Sequence, residues 1–358
     1  MRVLWRYRSE ADLPFCESIC DYCDFAKLQY FHSLADQYLI ALQKELTDRV
    51  DNKELKTIYI GGGTPTSLDD EQFKTLLKMV LPYTKMVEEY TIEANPESLN
   101  LSKIKLMKKY GVNRLSIGVE STDDKILKAI NRKHTFADVQ KAVALTRENG
   151  LDNINLDLII GLPNVSMKML EKDIQNILSL NPSHISCYSL TVHEHTVFYL
   201  NKIEEPFEQY AYDAYKRINE ILGERAYEHY EVSNWAKPGK ESKHNLTYWN
   251  NERYYGIGLA ASGYLGNIRY KNTTNFSKYI SFKNEIEEEV VSDKDRIEYE
   301  IMLKLRTMYG LDISKLNLNK KVVDEYIAGG YLALNGNQLT ATFEGMMILD
   351  KIVLDLLP

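Results

Sequence analysis

Three of the four cysteines lie close together, at Cys16, Cys20 and Cys23 in the segment CESICDYCDF. Three thiolates on one short loop can ligate three irons of a 4Fe–4S cluster, which leaves the fourth iron without a protein ligand. A ligand that reacts at the cluster requires such an open position. The spacing therefore predicts a 4Fe–4S cluster with one open iron.

Two other interpretations of these cysteines stay open at this point. Structural zinc needs a fourth ligand, and Asp24 and His32 are the nearer candidates because Cys187 falls in a predicted buried strand. The thiols could also be free. Disulfides are disfavoured in a reducing compartment, and clustered cysteines there are more typical of metal or redox chemistry.

A glycine-rich turn follows the first predicted strand, in the segment YIGGGTPTSL. Gly61, Gly62 and Gly63 precede Thr64 and allow a ligand to approach the backbone closely. Their carbonyls could hold an ammonium group. No G-K-S/T sequence follows, which argues against a phosphate-binding P-loop. A simple tight turn is the alternative.

Polar side chains follow the carboxyl ends of further predicted strands, where α/β folds place their sites. Glu93, Glu120 and Asp157 lie in the segments EANP, GVNRLSIGVES and NLDLIIGLP, and Arg132 lies in the segment NRKHT. One such carboxylate alone could be a solvated edge. Several of them together with an arginine predict a cage for a polar ligand.

Short β-type runs alternate with amphipathic helical stretches along the chain. The six runs cover residues 56–60, 89–94, 113–118, 153–160, 184–190 and 227–233. The helical stretches begin near Asp, Ser or Thr, as helices do. This alternation predicts an α/β fold with βαβ units and a parallel sheet. The pattern does not separate a curled barrel from a doubly wound sheet.

The composition excludes several classes of protein. The 358-residue chain has a net charge of −7 and a pI near 5.7, whereas a nucleic-acid binder needs a basic face. No apolar run approaches the roughly 18 residues of a membrane-spanning helix, and residues 1–15 lack the apolar block of an export signal. We therefore expect a cytoplasmic protein with no transmembrane segment.

The character of the sequence changes after about residue 235, where Gly, Asn and Tyr become frequent. We expect residues 1–235 to form the cluster-bearing core and residues 236–294 to form a connecting region. Residues 295–358 have the pattern of helices, a hairpin at NGNQLTAT and a last helix. This pattern predicts a small C-terminal helical module of winged-helix type.

Eight motifs occur in an order that resembles a known family. They are CESICDYCDF, GGGTP, EANPESL, GVNRLSIGVES, NLDLIIGLP, HISCYSLTV, YEVSNWAKPG and HNLTYW. The series resembles the oxygen-independent coproporphyrinogen III oxidase-like proteins of the radical S-adenosylmethionine superfamily, and within them the HemW haem chaperones. The resemblance covers nearly the whole chain. It implies a partial (β/α)6 barrel with an added C-terminal module, and S-adenosylmethionine at the open iron as the source of a 5′-deoxyadenosyl radical.

The resemblance also implies roles for the residues at the strand ends. Gly62, Gly63 and Thr64 would contact the methionine end of S-adenosylmethionine. Glu93 and Arg132 would hold its amino and carboxylate groups, the arginine through charge-assisted hydrogen bonds. The ribose hydroxyls would donate hydrogen bonds to the carboxylates of Glu120 and Asp157.

Phe25 decides between the two groups within this family. The oxidases resemble C-x-x-x-C-x-x-C-x-C, whereas Phe25 occupies the last place here, and we expect no counterpart of their longer N-terminal segment. The resemblance therefore implies a haem chaperone that passes haem to acceptor apo-haem proteins, with transient membrane association only through those acceptors. In its HNxxYW motif His244 would ligate haem iron, and Tyr248 and Trp249 would pack on the porphyrin. We expect the Gly- and Tyr-rich region around this motif to form an exposed flap, which suits a ligand that must be handed on.

Two alternatives remain beside the chaperone. One is an enzyme, an oxygen-independent coproporphyrinogen III oxidase or another radical enzyme that acts on a tetrapyrrole. The other is a cluster-bearing binding protein without turnover. Formation of a deoxyadenosyl product separates the enzyme from the second alternative, and conversion of a porphyrinogen separates the enzyme from the chaperone.

The sequence departs from the family pattern before the cysteines and at one strand end. Glu10 and Asp12 replace an aromatic residue and a histidine, which puts the first strand in question. Glu120 stands where Gln is common, which adds a negative charge near the expected ribose site.

Two further departures concern histidines. Ser262 replaces a histidine of the family, which leaves His244 as the main candidate for haem ligation. His193 and His195 replace a Glu-Pro-Gly pattern. A His-x-His pair can bind a metal, but a surface loop is the favoured interpretation here.

Overall fold

The computed structural model describes residues 9–51 and 54–357 as an α/β structure. The strands are β1 (Ser9–Leu13), β2 (Phe15–Cys16), β3 (Leu28–Gln29), β4 (Thr57–Gly62), β5 (Glu89–Ala94), β6 (Arg114–Glu120), β7 (Ile154–Ile160), β8 (His184–Ser189), β9 (Glu228–Glu231), β10 (Asn234–Ala236), β11 (Tyr255–Gly258), β12 (Ser262–Leu265), β13 (Ile268–Lys271), β14 (Glu287–Val290), β15 (Leu311–Asp312), β16 (Leu332–Asn335) and β17 (Gln338–Ala341).

The helices follow most of these strands along the chain. They are α1 (His32–Arg49), α2 (Asp70–Val80), α3 (Leu101–Lys109), α4 (Asp124–Ala129), α5 (Phe136–Glu148), α6 (Met167–Ser179), α7 (Val197–Leu200), α8 (Glu208–Gly223), α9 (Lys243–Trp249), α10 (Phe276–Ile280), α11 (Asp293–Lys304), α12 (Lys320–Ala328), α13 (Phe343–Met347) and α14 (Leu349–Leu356). Side chains cap several of their N-termini as expected, including a capping box at the start of α5.

Nine strands form the main sheet, in the order β11-β1-β4-β5-β6-β7-β8-β10-β9. Pairing is parallel from β11 to β8, while β10 runs antiparallel to both β8 and β9. Within the described residues no pairing joins β9 to β11, so the sheet is open along that edge.

Strand β6 shows how the sheet separates a core from a cavity. Leu115, Ile117 and Val119 are fully buried in the hydrophobic core, whereas Arg114 and Glu120 line the cavity. Successive side chains of a strand point to opposite faces, so the core lies on one face of the sheet and the cavity on the other. A doubly wound sheet has helices on both faces, and the structure is therefore the partial barrel.

All six strands expected from the sequence form. The first five are the parallel strands β4 to β8, and the sixth is the antiparallel edge strand β9. The strand that the departures at Glu10 and Asp12 put in question is also present: β1 pairs with β4 and β11 through its backbone. The side chain of Glu10 lies outside the described residues.

The C-terminal part has its own hydrophobic core, built around residues such as Ile301, Leu339 and Ile352. Its strands form a three-stranded antiparallel sheet in the order β15-β17-β16, and β16 and β17 are the hairpin expected at NGNQLTAT. Strand β11 from the expected connecting region belongs to the main sheet. The boundaries 1–235, 236–294 and 295–358 themselves stay predictions.

Among the helices of residues 9–51 and 54–357, none is both long enough and apolar enough to cross a membrane.

Candidate functional site

The cysteine loop connects β2 to β3, and its three thiols line one cavity of about 440 Å³. Cys16 is buried in β2, which pairs with β3, while Cys20 and Cys23 are partly exposed. Cys187 is also buried but does not line this cavity. The fold thus brings together the three cysteines that the spacing selected and leaves out the fourth.

Asn131 fixes the cysteine loop to the turn after α4. Its side-chain amide donates to the carbonyl of Ile19 at 2.8 Å, and the backbone amide of Asp21 donates to the carbonyl of Ile130 at 3.3 Å. Asn131 has a φ of +62°, a left-handed conformation that asparagine tolerates better than most residues. The next residue, Arg132, is thereby placed beside Cys20.

Burial controls the protonation of the thiols. It raises the pKa of Cys16 to about 11, against the opposing effect of a hydrogen bond with Thr64. Burial likewise raises the pKa of Cys23. Metal ligation requires the thiolate, so binding of iron here would release protons.

The glycine turn at the end of β4 packs directly on the segment that leads to Cys16. A Cβ at Gly62, whose φ is +101°, would lie 2.7 Å from the carbonyl oxygen of Leu13, and one at Gly63 would lie 3.0 Å from the Cys16 Sγ. The Thr64 amide donates to the carbonyl of Phe15 at 2.7 Å. Only glycine fits these approaches, so the turn is held against the cysteine loop.

Glu93 lies at the end of β5, next to the glycine turn. Its Oε1 accepts a hydrogen bond from the Tyr59 hydroxyl at 2.5 Å, and its Oε2 accepts one from the Gly62 amide at 3.2 Å. Burial and then the neighbouring Glu93 charge raise the pKa of Tyr59, so Tyr59 stays a donor. The Glu93 carboxylate is therefore fixed in position at the cavity wall.

Arg132 is 9% exposed and lines the same cavity. Its Nη1 lies 3.5 Å from the Cys20 Sγ, and its Nη2 donates to the Gly118 carbonyl and lies 3.4 Å from the Glu120 Oε1. Its Nε is buried without a partner among the described residues. A cation next to a cluster thiol with one unused donor suits an anionic ligand group.

Glu120 on β6 and Asp157 on β7 are the next two polar residues of the cavity wall. Burial raises the pKa of Glu120 while Arg132 lowers it, and Glu120 has a φ of +67° at an irregularity between the two strands. Burial also raises the pKa of Asp157, whose oxygens accept hydrogen bonds from Asn155 at 2.6 Å and from Ser116 at 3.3 Å. Both carboxylates line the cavity. Glu120 ends β6 as expected, whereas Asp157 lies in the middle of β7 and not at its carboxyl end.

The cavity wall also contains residues that the sequence analysis did not select, among them Tyr22, Tyr59, Asn95 and Arg114. Tyr59 and Arg114 occupy alternate positions on β4 and β6, the strands that carry Gly61 and Glu120. Extending the two-residue period of a strand back from each strand end would have found them.

His244 lies in helix α9 and is 1% exposed. Its Nδ1 lies 2.8 Å from the Thr57 hydroxyl, its Nε2 lies 2.7 Å from the Tyr248 hydroxyl, and its ring stacks on Tyr59 at 5.2 Å. The backbone amide of His244 donates to Glu89 at 2.9 Å. The sequence suggested an exposed flap here, which is wrong: α9 packs its imidazole into the barrel, because both ring nitrogens have partners there.

A second cavity of about 410 Å³ adjoins the first on the side of α9. Its wall includes His244, Tyr248 and Ser262 of the connecting region. Phe25 and Asn245 line both cavities. The predicted haem motif and the predicted cluster site are therefore neighbours, separated by side chains that they share.

The remaining candidate metal ligands do not converge on the thiols. His193 pairs with Asp24 at 3.3 Å, and both side chains are about half exposed. His195 is exposed, and His32 lies 3.0 Å from Asp69 and does not line the cavity. Over residues 9–51 and 54–357, no three His, Cys, Asp or Glu side chains are arranged around a single metal ion, whereas a cluster needs only one thiolate at each of three irons.

Residues 12–177 match the family model of the radical SAM superfamily. The solved structure of coproporphyrinogen III oxidase from Escherichia coli has a similar fold, with a TM-score of 0.84 and 22% identity over 99% of this chain and 90% of that chain. Residues 12–177 thus form a radical SAM domain that carries the three clustered cysteines, and the solved oxidase shares the fold.

Curated relatives define the family within that class. The chain is 41% identical over 327 residues to the heme chaperone HemW of Lactococcus lactis, covering 88% of this chain and 86% of that protein. It is also 41% identical over 314 residues to the heme chaperone HemW of Bacillus subtilis, covering 84% of this chain and 83% of that protein. The chain belongs to the HemW family, which confirms the resemblance found in the sequence.

Proposed function

We propose that this protein is a haem chaperone, which binds haem and transfers it to acceptor haem proteins, and that it carries a 4Fe–4S cluster and S-adenosylmethionine. The 41% identity to proteins named heme chaperone HemW over 88% of the chain carries the proposal. The two adjoining cavities support it, because the cysteines line one and His244, Asn245 and Tyr248 of the HNxxYW motif line the other.

The cluster would be held by Cys16, Cys20 and Cys23, one thiolate to each of three irons. Three observations fit this group: the thiols share one cavity, Arg132 has a buried unpartnered donor there, and Gly63 leaves room beside Cys16. When bound, a reduced cluster with S-adenosylmethionine at its open iron supplies one-electron reduction of the sulfonium.

The cradle for S-adenosylmethionine would use the wall next to the thiols. Gly62, Gly63 and Thr64 would contact its methionine end, and Glu93 would accept hydrogen bonds from its ammonium group. Arg132 would donate to its carboxylate, since a guanidinium forms strong hydrogen bonds with carboxylates.

The ribose end would lie toward β6 and β7. Glu120 and Asp157 would accept hydrogen bonds from the ribose hydroxyls. Burial of both carboxylates raises their pKa, and the donors already bound to Asp157 keep its oxygens oriented.

Haem would occupy the second cavity, with His244 as the proposed axial ligand. The imidazole now contacts Thr57 and Tyr248 through its two nitrogens, so ligation of iron replaces one of these contacts. The remaining contact would hold the ring in the orientation that ligation needs. Phe25, which is 64% exposed, lines this cavity, and the porphyrin would enter beside it.

Haem titration of the anaerobically reconstituted protein tests this proposal. We expect saturable binding of haem with a shifted absorption spectrum, and an intact cluster afterwards. Failure of the protein to bind haem at micromolar concentration would contradict the proposed chaperone function. We expect no conversion of coproporphyrinogen III, since Phe25 replaces the fourth cysteine, and formation of protoporphyrinogen would favour the oxidase instead.

A further inference from the structure

Arg114 is a buried cation in the cavity wall that the cofactor roles leave unused. It is 2% exposed and lines the first cavity. Its Nε is buried without a hydrogen-bond partner, and within residues 9–51 and 54–357 its guanidinium forms no ion pair. Arginine stays protonated at all physiological pH values, and an unpaired buried charge is costly. An anionic partner is therefore missing from this part of the cavity.

The polar side chains near Arg114 already form hydrogen bonds with one another. The His184 Nε2 lies 2.8 Å from the Tyr230 hydroxyl, and its Nδ1 lies 2.6 Å from the Asn155 Oδ1. The Asn155 amide in turn donates to Asp157. Burial and then the charge of Arg114 lower the pKa of His184, which keeps that ring neutral. Asp157 is the one carboxylate of this network, and the charge of Arg114 opposes the rise in its pKa that burial causes. Within residues 9–51 and 54–357 the two side chains nevertheless form no ion pair.

The position of Arg114 separates it from the cofactor cradle. Arg114 begins β6 and Glu120 ends it, and six residue steps along a strand span roughly 20 Å. Arg132 and the thiols lie near the Glu120 end. Asp157, which would bind the ribose, lies between the two ends, opposite Gly118, and the charge of Arg114 acts on its carboxylate. A ligand group bound by Arg114 would therefore lie beyond the ribose, at the end of the cavity away from the thiols, and would belong to a second molecule.

We propose that Arg114 binds a carboxylate of the organic ligand that enters from the second cavity, namely a propionate of the tetrapyrrole. The inference rests on the proposed haem function and adds to it the anchor for the acidic edge of the ligand. Tyr59 and Asn245 line both cavities, so a flat ligand lying across them reaches both. A guanidinium binds a carboxylate through two parallel hydrogen bonds.

Haem and haem dimethyl ester, whose propionates carry no charge, are the two probes. The reconstituted wild-type protein is expected to bind the ester about 10- to 100-fold more weakly than haem, the range for a charged hydrogen bond. Arg114→Gln is expected to weaken haem binding by a similar factor and to leave ester binding unchanged. Arg217→Gln, on the surface next to Glu171, serves as the matched control and should change neither.

The outcomes separate this inference from the proposed function. Equal binding of haem and ester by wild type, with unchanged haem binding by Arg114→Gln, overturns the role of Arg114 and leaves the chaperone intact. If the wild-type protein binds neither haem nor its ester, both the role of Arg114 and the proposed chaperone function are overturned. If Arg114→Gln does not fold, the wild-type comparison still tests the inference, because equal binding of haem and its ester would show that no buried cation anchors a propionate.

Discussion

Cys16 and Cys187 are both buried cysteines, and their surroundings predict opposite results for the same substitution. Cys16 lines the cavity beside the glycine turn, whereas Cys187 belongs to β8 and is buried in the hydrophobic core. We expect wild-type protein to bind about four irons and four sulfides after anaerobic reconstitution. Ala at Cys16, Cys20 or Cys23 should abolish this, and Ala at Cys187 should not. Zinc without iron in the reconstituted protein would contradict the cluster.

Arg132 gives a second prediction at the scale of one side chain. Arg132→Ala removes a buried cation next to Cys20 and Glu120. We expect the variant to bind S-adenosylmethionine about 10- to 100-fold more weakly, which corresponds to a charged hydrogen bond of ~1.5–3 kcal/mol. The change in the spectrum of the reduced cluster on titration measures this. Arg147→Ala, at the surface beside Asn181, is the control, and equal affinity of both variants would remove Arg132 from the cradle.

Glu231 makes stability depend on pH. Burial raises its pKa to about 8, and its Oε1 has no partner among the described residues. The folded carboxyl holds its proton more tightly than the unfolded one, so its contribution is fully present below about pH 4.3. That contribution is lost as pH rises through 8.

Replacement of Glu231 with Gln tests this dependence. We expect Glu231→Gln to raise the free energy of unfolding at pH 8 by about 2–4 kcal/mol, since one pKa unit corresponds to about 1.4 kcal/mol. Urea unfolding at pH 6 and pH 8 measures the difference. Glu228→Gln, on the same strand but exposed, is the control. Parallel pH profiles for wild type and Glu231→Gln would show that Glu231 does not titrate in this range.

At the scale of elements, the parallel strands were predictable because their sequences are apolar runs with polar side chains at the carboxyl ends. Glu93 and Glu120 line one cavity for that reason, and Asp157 joins them from the middle of β7. Strand β11 was not predictable from local pattern, since it pairs with β1 more than 240 residues earlier in the sequence. The same holds for Arg114, whose importance depends on which other charges surround it in the fold.

Helix α9 is the element where sequence reasoning failed. The helix has only the seven residues KHNLTYW, which is too short for an amphipathic pattern to show which side chains are buried. Glu89 accepts hydrogen bonds from its first backbone amides, so a carboxylate on a distant strand stabilises the helix N-terminus. This contact orients His244 inward, and it could be seen only once β5 was placed.

His244→Ala tests the role of this helix. We expect the variant to shift or weaken the absorption of bound haem while the cluster stays intact. We also expect the free energy of unfolding to fall by about 1–3 kcal/mol, because Thr57 and Tyr248 lose a buried partner. His195→Ala, at an exposed position, should change neither quantity. An unchanged haem spectrum in His244→Ala would assign the axial ligand to another residue, and His193 would be examined next.

At the scale of the whole molecule, the two adjoining cavities couple the cofactor site to the proposed haem site. Tyr59 contacts both sides, since it donates to Glu93 near the glycine turn and stacks on His244 of α9. A ligand that moves Glu93 therefore changes the contacts of His244. In the proposed function, this arrangement would allow S-adenosylmethionine to influence how firmly haem is held.

Transfer of haem to an acceptor tests the central claim most directly. Reconstituted protein is loaded with one equivalent of haem and mixed with an apo-haem protein, and the spectrum of the acceptor is followed. The account predicts that the acceptor becomes loaded faster than by spontaneous haem release from a non-specific carrier at equal concentration, and that His244→Ala loses this advantage. The account would be contradicted if the acceptor gained haem no faster than it does from that carrier, or if it gained no haem at all.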